Sequence, residues 1–131
     1  MKSDNELMEL AKKSSNAAYS KYSNFPVGAC ALFESGNTFF GCNVENSSYG
    51  LSLCAERNAL SNAISNFETS KLIKIAIYSP KSHLCFPCGA CLQWIFEFAK
   101  GFDTDIILLD ENNNLKSFHL SELLPFPFSA L

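Results

Sequence analysis

Lysine and arginine nowhere gather into a run longer than Lys12-Lys13, and the 131 residues carry a formal net charge of −3. A nucleic-acid surface needs a basic stripe, so the composition disfavours that class of partner. No apolar stretch approaches the ~18 residues read as a membrane span. The opening Met1-Lys2-Ser3-Asp4-Asn5-Glu6 turns polar and acidic at once, which does not read as a signal peptide. Internal repeats, low-complexity segments and linkers are absent. Without a secretion signal, the six cysteines read as reduced thiols, some of them binding metal, and the expected compartment is the cytosol.

What is present describes a globular chain. Apolar residues make up 47% and charged residues 18%, which is not the composition of a disordered segment. The length suits one domain spanning residues 1–131, with a real core but no room for a second. Twelve phenylalanines are many for this size, so part of the apolar surface is expected to serve subunit contacts.

Ser3 with Glu6 predicts a capping box, followed by a helix to about Ser20. Phe25-Pro26 ends it, because the residue before a proline is pushed out of the helical region. Val27 to Phe33 and Thr38 to Val44 read as strands joined by a turn at Glu34-Ser35-Gly36-Asn37. Glu45 to Leu51 reads as a polar loop, and Ser52 as the N-cap of a helix reaching Phe67. A third strand is expected over Leu72 to Tyr78. Pro87 suits the first turn of a further helix that ends near Lys100-Gly101. Ile106 to Leu109 and Leu115 to Leu120 complete five strands around an Asn112-Asn113-Asn114 turn, and Ser121 to Leu124 forms one short turn. Helix, hairpin and then alternating helix and strand imply an α/β fold: a three-layer α/β/α sandwich around a mixed five-stranded sheet.

The chemistry sits in two separated pieces, Cys54-Ala55-Glu56-Arg57 and Pro87-Cys88-Gly89-Ala90-Cys91. A structural zinc site closes with four protein ligands, whereas a catalytic one keeps three and leaves the fourth position to water. Three cysteines with a neighbouring glutamate therefore suggest one zinc, with Glu56 as general acid and base. Cys88 and Cys91, three apart at a helix start, share one face about 5–6 Å apart at Cβ. A helix N-terminus favours thiolate over thiol. Cys54 and Glu56 converge only if Cys54 lies in the frayed first turn. Arg57 is expected to offset the negative charge of three thiolates by bonding to the sulfurs.

Each piece alone has a commoner reading. A lone Cys-x-x-Cys is often a redox pair or half a zinc knuckle, and a lone cysteine is most often a small buried hydrophobe. Cys30 and Cys42 are read as core. Cys85 and His83 are weaker candidates for a fourth ligand, and His119 has no evident partner.

Taken together, the motifs resemble the cytidine deaminases, specifically the small homotetrameric type, over nearly the whole chain. Phe25-Pro26-Val27-Gly28-Ala29, Asn43-Val44-Glu45-Asn46, the two cysteine pieces with Gln93, and Leu123-Leu124-Pro125 stand in that family's order. The resemblance implies zinc on Cys54, Cys88 and Cys91, with Glu56 as proton shuttle. It implies that Asn43 and Glu45 hold the ribose 3′-hydroxyl and that Phe25 lies against the pyrimidine, with Val44 and Ala55 completing the substrate-binding set. Tyr49 and a C-terminal aromatic, Phe126 or Phe128, are implied to reach a neighbouring subunit's site. Two positions depart from the family pattern: Leu92 replaces a frequent arginine, and Phe86 stands where serine is common.

The reading is hydrolytic deamination of cytidine and deoxycytidine to uridine and deoxyuridine, with ammonia released, by a cytoplasmic homotetramer acting in pyrimidine salvage. Three rivals stand beside it. A blasticidin-type or other aminopyrimidine deaminase shares the zinc motif, but Arg57 and the Asn43/Glu45 pair fit a ribose. A deaminase acting on RNA or DNA calls for a basic surface. A non-catalytic module stapled by zinc calls for a fourth protein ligand, His83 or Cys85.

Overall fold

The computed structural model describes residues 1–129. Helix α1 (Asp4–Ser15) opens with the expected capping box: Glu6 N–H donates to Ser3 Oγ, and Ser3 N–H donates to Glu6 Oε1. It stops five residues before the predicted end. Ser15 Oγ bonds back to Lys12 O, and Tyr19 pairs its backbone with Asn43 and Glu45 instead of continuing the helix.

Strands β1 (Gly28–Phe33) and β2 (Thr38–Cys42) form the hairpin, with Gly36 at φ +91° in the turn. They are followed by α2 (Ala55–Ser65), β3 (Leu72–Tyr78), α3 (Gly89–Phe98), β4 (Asp105–Leu109), β5 (Leu115–His119) and the short α4 (Leu120–Leu123). The sheet order is β2-β1-β3-β4-β5, antiparallel except for the parallel β3–β4 pair. That parallel pair needs a crossover, which α3 supplies.

Alternation along the strands separates two cores. Ala29, Ala31, Phe33, Ile75, Ile77, Ile106 and Leu108 face α2, α3 and α4. Cys30, Leu32, Ala76 and Ile107 face α1 through Leu7, Met8 and Ala11. Helices on both faces of a mixed sheet give the expected three layers, and the continuous apolar runs of β1 and β4 follow from burial on both sides.

Register brings the active end together. Gly28 opposes both Cys42 and Tyr78, so the segment before β1 and the segments after β2 and β3 emerge at one end of the sheet. Glycine is required where β1 and β2 meet the helices: a Cβ on Gly28 would lie 2.0 Å from Ala11 O, and one on Gly41 would lie 2.5 Å from Ala59 N.

Several boundaries differ from the sequence expectation. The cap of α2 is Cys54, not Ser52, whose hydroxyl instead accepts from Asn46 N–H. That helix ends at Ser65 because Phe67 turns left-handed at φ +64°. Helix α3 begins after Pro87, with Cys88 as cap, and closes at Phe98, ahead of Gly101. Strand β2 stops at Cys42, and Val44 pairs with Leu53 beyond it. Cys42 is only half-buried because β2 is an edge strand. His119 does have a partner: its Nδ1 lies 2.8 Å from Asp105 Oδ1 across β4 and β5.

Candidate metal centre and cleft

Two helix N-termini converge at the active end. Cys54 caps α2 in extended conformation (φ −76°, ψ 155°), so its side chain is free of the helical spacing that would separate it from Glu56. Cys88 caps α3 in the same conformation, and Cys91 follows in its first turn. The Sγ atoms of Cys54, Cys88 and Cys91 all lie within 4.8 Å of one another. Among the described residues, neither His83 nor Cys85 joins that cluster.

The donors fit a zinc ion. Three sulfurs at about 2.3 Å from a tetrahedral zinc stand about 3.8 Å apart, which the spacing found accommodates. Thiolate character is already built in at Cys54. The Cys91 thiol donating to it, with Arg57 adding a second bond, holds the Cys54 thiol down at about 5 despite burial. Cys91 is pushed up as the partner that keeps its proton, and burial adds to the rise. Arg57 Nη2 lies 3.4 Å from Cys54 Sγ, and its Nε is buried without a hydrogen-bond partner.

Glu56 is 5% exposed. Burial, with a smaller push from the adjoining Cys54 thiolate, brings its carboxyl up to about 7. A carboxyl poised there exchanges a proton near neutral pH in either direction, as a general acid and base must.

A cleft of about 400 Å³ opens above this cluster. Phe25, Asn43, Glu45, Cys54, Ala55, Glu56 and Cys88 line it, so most of the sequence-selected residues share one space. Val44 stands outside that lining, half-exposed, its backbone paired with Leu53 in both directions. Tyr49 belongs to an adjoining depression with Tyr22, Ser23, Glu45 and Ser52. Phe126 and Phe128 are 92% and 74% exposed on the C-terminal tail. Gln93 pins that tail, accepting from Phe128 N–H at 3.0 Å and donating to Phe128 O at 2.8 Å.

Sequence reading missed Ser23 and Leu53 in the cleft wall, took Ser52 only for a helix cap, and offered Cys85 as a weaker fourth ligand, whereas it lines the cleft outside the sulfur cluster. Ser23 lies in the segment that the sequence reads only as a helix break. The two departures separate cleanly. Leu92 is buried in the core, whereas Phe86 lines the cleft and stacks edge-on against Phe118 at 5.1 Å.

Comparison with known proteins agrees with this geometry. Residues 1–104 match the family described as the cytidine and deoxycytidylate deaminase zinc-binding region. The cytidine deaminase of Sporosarcina psychrophila is 38% identical over 124 residues, covering 95% of this chain and 90% of that protein. The crystal structure of cytidine deaminase from Burkholderia pseudomallei superposes with a TM-score of 0.88 at 36% identity, over 97% of this chain and all of that one. The Mycobacterium tuberculosis enzyme gives 0.83 at 34%, over 96% and 97%.

Proposed function

This chain belongs to the cytidine and deoxycytidylate deaminase zinc-binding family, and from that membership we propose how its cleft divides the work: Cys54, Cys88 and Cys91 hold the zinc, and Glu56 moves the protons. The reaction is zinc-dependent hydrolytic deamination of cytidine, a step of pyrimidine salvage. The observation that carries the division is a buried carboxyl beside a cluster of three sulfurs, all at the head of two helices.

When bound, zinc supplies the Lewis acidity that brings the pKa of water towards neutrality. Glu56 accepts the proton of the attacking water and delivers it to ring N3 while the oxygen adds at C4. It then takes the remaining proton from the C4 hydroxyl and passes it to the departing amino group as the C4–N bond breaks, so that cytidine and water become uridine and ammonia. This proton traffic is the general chemistry of zinc deaminases. Arg57 moderates the charge on the sulfurs through Cys54.

Phe25 offers a ring face to the pyrimidine, while Asn43 and Glu45 receive the ribose 3′-hydroxyl. Ala55 and Val44 complete that set, with Val44 acting through the segment that it holds against Leu53. The same contacts accept deoxycytidine. Tyr49 and one of the pair Phe126 and Phe128 project from a single-domain protomer into a neighbouring copy's cleft in a homotetramer, a reading supported by the exposure of all three. No helix among the described residues is long and apolar enough to cross a membrane, and the acidic surface fits a cytoplasmic enzyme acting on free nucleosides.

A zinc-stapled module without activity would call for a fourth protein donor, and the cluster of three offers none among the described residues. The direct test is loss of cytidine ultraviolet absorbance with and without chelator. Chelator-sensitive turnover is expected, and purified, zinc-loaded protein inert towards cytidine would overturn the proposal.

A further inference from the structure

The carboxylate of Glu45 is held by three donors from one short turn. Tyr22 N–H and Ser23 N–H both donate to Oε1 at 3.0 Å, and the Ser23 hydroxyl donates to Oε2. The same Ser23 oxygen accepts from Phe25 N–H at 3.0 Å. Asn24, between them, is left-handed at φ +55°, the conformation that turns the chain back so that Phe25 meets the serine. Asn43 fastens the far side of this turn, accepting from Val27 N–H and donating to Phe25 O, each at 2.9 Å.

We infer that Ser23 is a positioning residue: its hydroxyl ties the ribose-binding carboxylate of Glu45 to the backbone that presents the Phe25 ring, setting sugar and base sites in one register. The geometry carries this. An ionised carboxylate has about four acceptor sites. Two on Oε1 are filled by the turn, and one on Oε2 is filled by Ser23, leaving one on Oε2 for a substrate hydroxyl. Without Ser23, Oε2 is free to rotate between that position and solvent, because both remaining bonds converge on Oε1. The Ser23 bond is also the largest reason that the Glu45 carboxyl lies below the usual carboxylate range, which keeps it an acceptor rather than a donor.

This inference rests on the reading of Glu45 as partner of the ribose 3′-hydroxyl, and the experiment separates the two. Steady-state kinetics are compared for cytidine and 3′-deoxycytidine with the unaltered enzyme, Ser23→Ala, Ser23→Thr and Glu45→Gln, each loaded with zinc. The loss of one positioned hydrogen bond is expected to lower kcat/KM for cytidine by about 3- to 10-fold in Ser23→Ala, through KM. For 3′-deoxycytidine the change is expected to stay within about twofold, and Ser23→Thr to restore the cytidine value. Equal losses on both substrates in Ser23→Ala, while Glu45→Gln still penalises cytidine selectively, would overturn the positioning role alone. If Glu45→Gln fails to distinguish the two substrates, the ribose reading falls and this inference with it.

Discussion

Arg57 reaches back along α2 to set its Nη2 3.4 Å from Cys54 Sγ, so a cation rests against one of the three sulfurs. Three thiolates on a dication leave a net negative centre, which makes a poorer activator of water. A guanidinium bonded to one sulfur withdraws part of that charge without removing a ligand. Replacing Arg57 by Gln is expected to weaken zinc binding by about 10- to 100-fold, the usual cost of losing such a partner. Competition against a chromophoric chelator reads this directly. Unchanged affinity would show that the contact is only packing.

Glu56 allows the sharper separation of metal from proton transfer. Its side chain is buried and is absent from the three-sulfur cluster. Glu56→Gln keeps shape and removes the exchangeable acid, so zinc content should remain full. Turnover should fall by about 100- to 10,000-fold, the range of a lost general acid-base group. A variant with zinc bound and near-normal kcat would remove Glu56 from the reaction.

Most of this site was legible because its signals are local and sharp. Cys54 and the Cys88/Cys91 pair each open a helix, and the sequence places both helices after strands, which is why their convergence was foreseeable. The strands were readable for the same reason: Leu72–Tyr78 came out residue for residue, its burial on both faces leaving a nearly continuous apolar run. What was hidden depends on contacts distant in sequence. The early stop of α1 is decided by Tyr19 pairing with Asn43 and Glu45. Ser52 lost the cap of α2 because Asn46 claims its hydroxyl. Ser23 carries no periodic or motif signal until Glu45, 22 residues on, is brought beside it.

Packing of the active end should be intolerant of a single methyl group at Gly28. The atoms that a Cβ would meet belong to backbone, Ala11 O at 2.0 Å and Ser15 N at 2.5 Å. Neither can swing aside, so α1 must move off β1. Gly28→Ala is expected to cost about 1–3 kcal/mol or more, the usual range of overpacking, read as a lower denaturation midpoint at unchanged slope. A midpoint within error of the unaltered protein would mean that α1 slides freely on the sheet.

Acid stability should depend on Glu68, far from the cleft. Its carboxylate accepts from Ser35 Oγ at 2.6 Å, Asn37 Nδ2 at 3.1 Å, and Ser70 N–H and Oγ at 3.0 and 2.9 Å, clasping the β1–β2 turn to the segment before β3. Those bonds, Ser35 foremost, pull its pKa down to about 2 from 4.5. A depressed folded pKa means that the fold prefers the ionised form. Its stabilisation is therefore complete above the unfolded pKa and is lost as pH falls towards the folded one. With allowance for solvent screening, the contribution near pH 6 is about 1–2 kcal/mol. Glu68→Gln should lower the denaturation midpoint at pH 6, and the gap to the unaltered protein should narrow from about pH 5 downwards. The variant and the unaltered protein differ in this one titrating group, so acid effects common to both cancel in the comparison. A gap that stays constant from pH 6 to the acid limit would mean that the clasp works through shape alone, with no preference for the charged carboxylate.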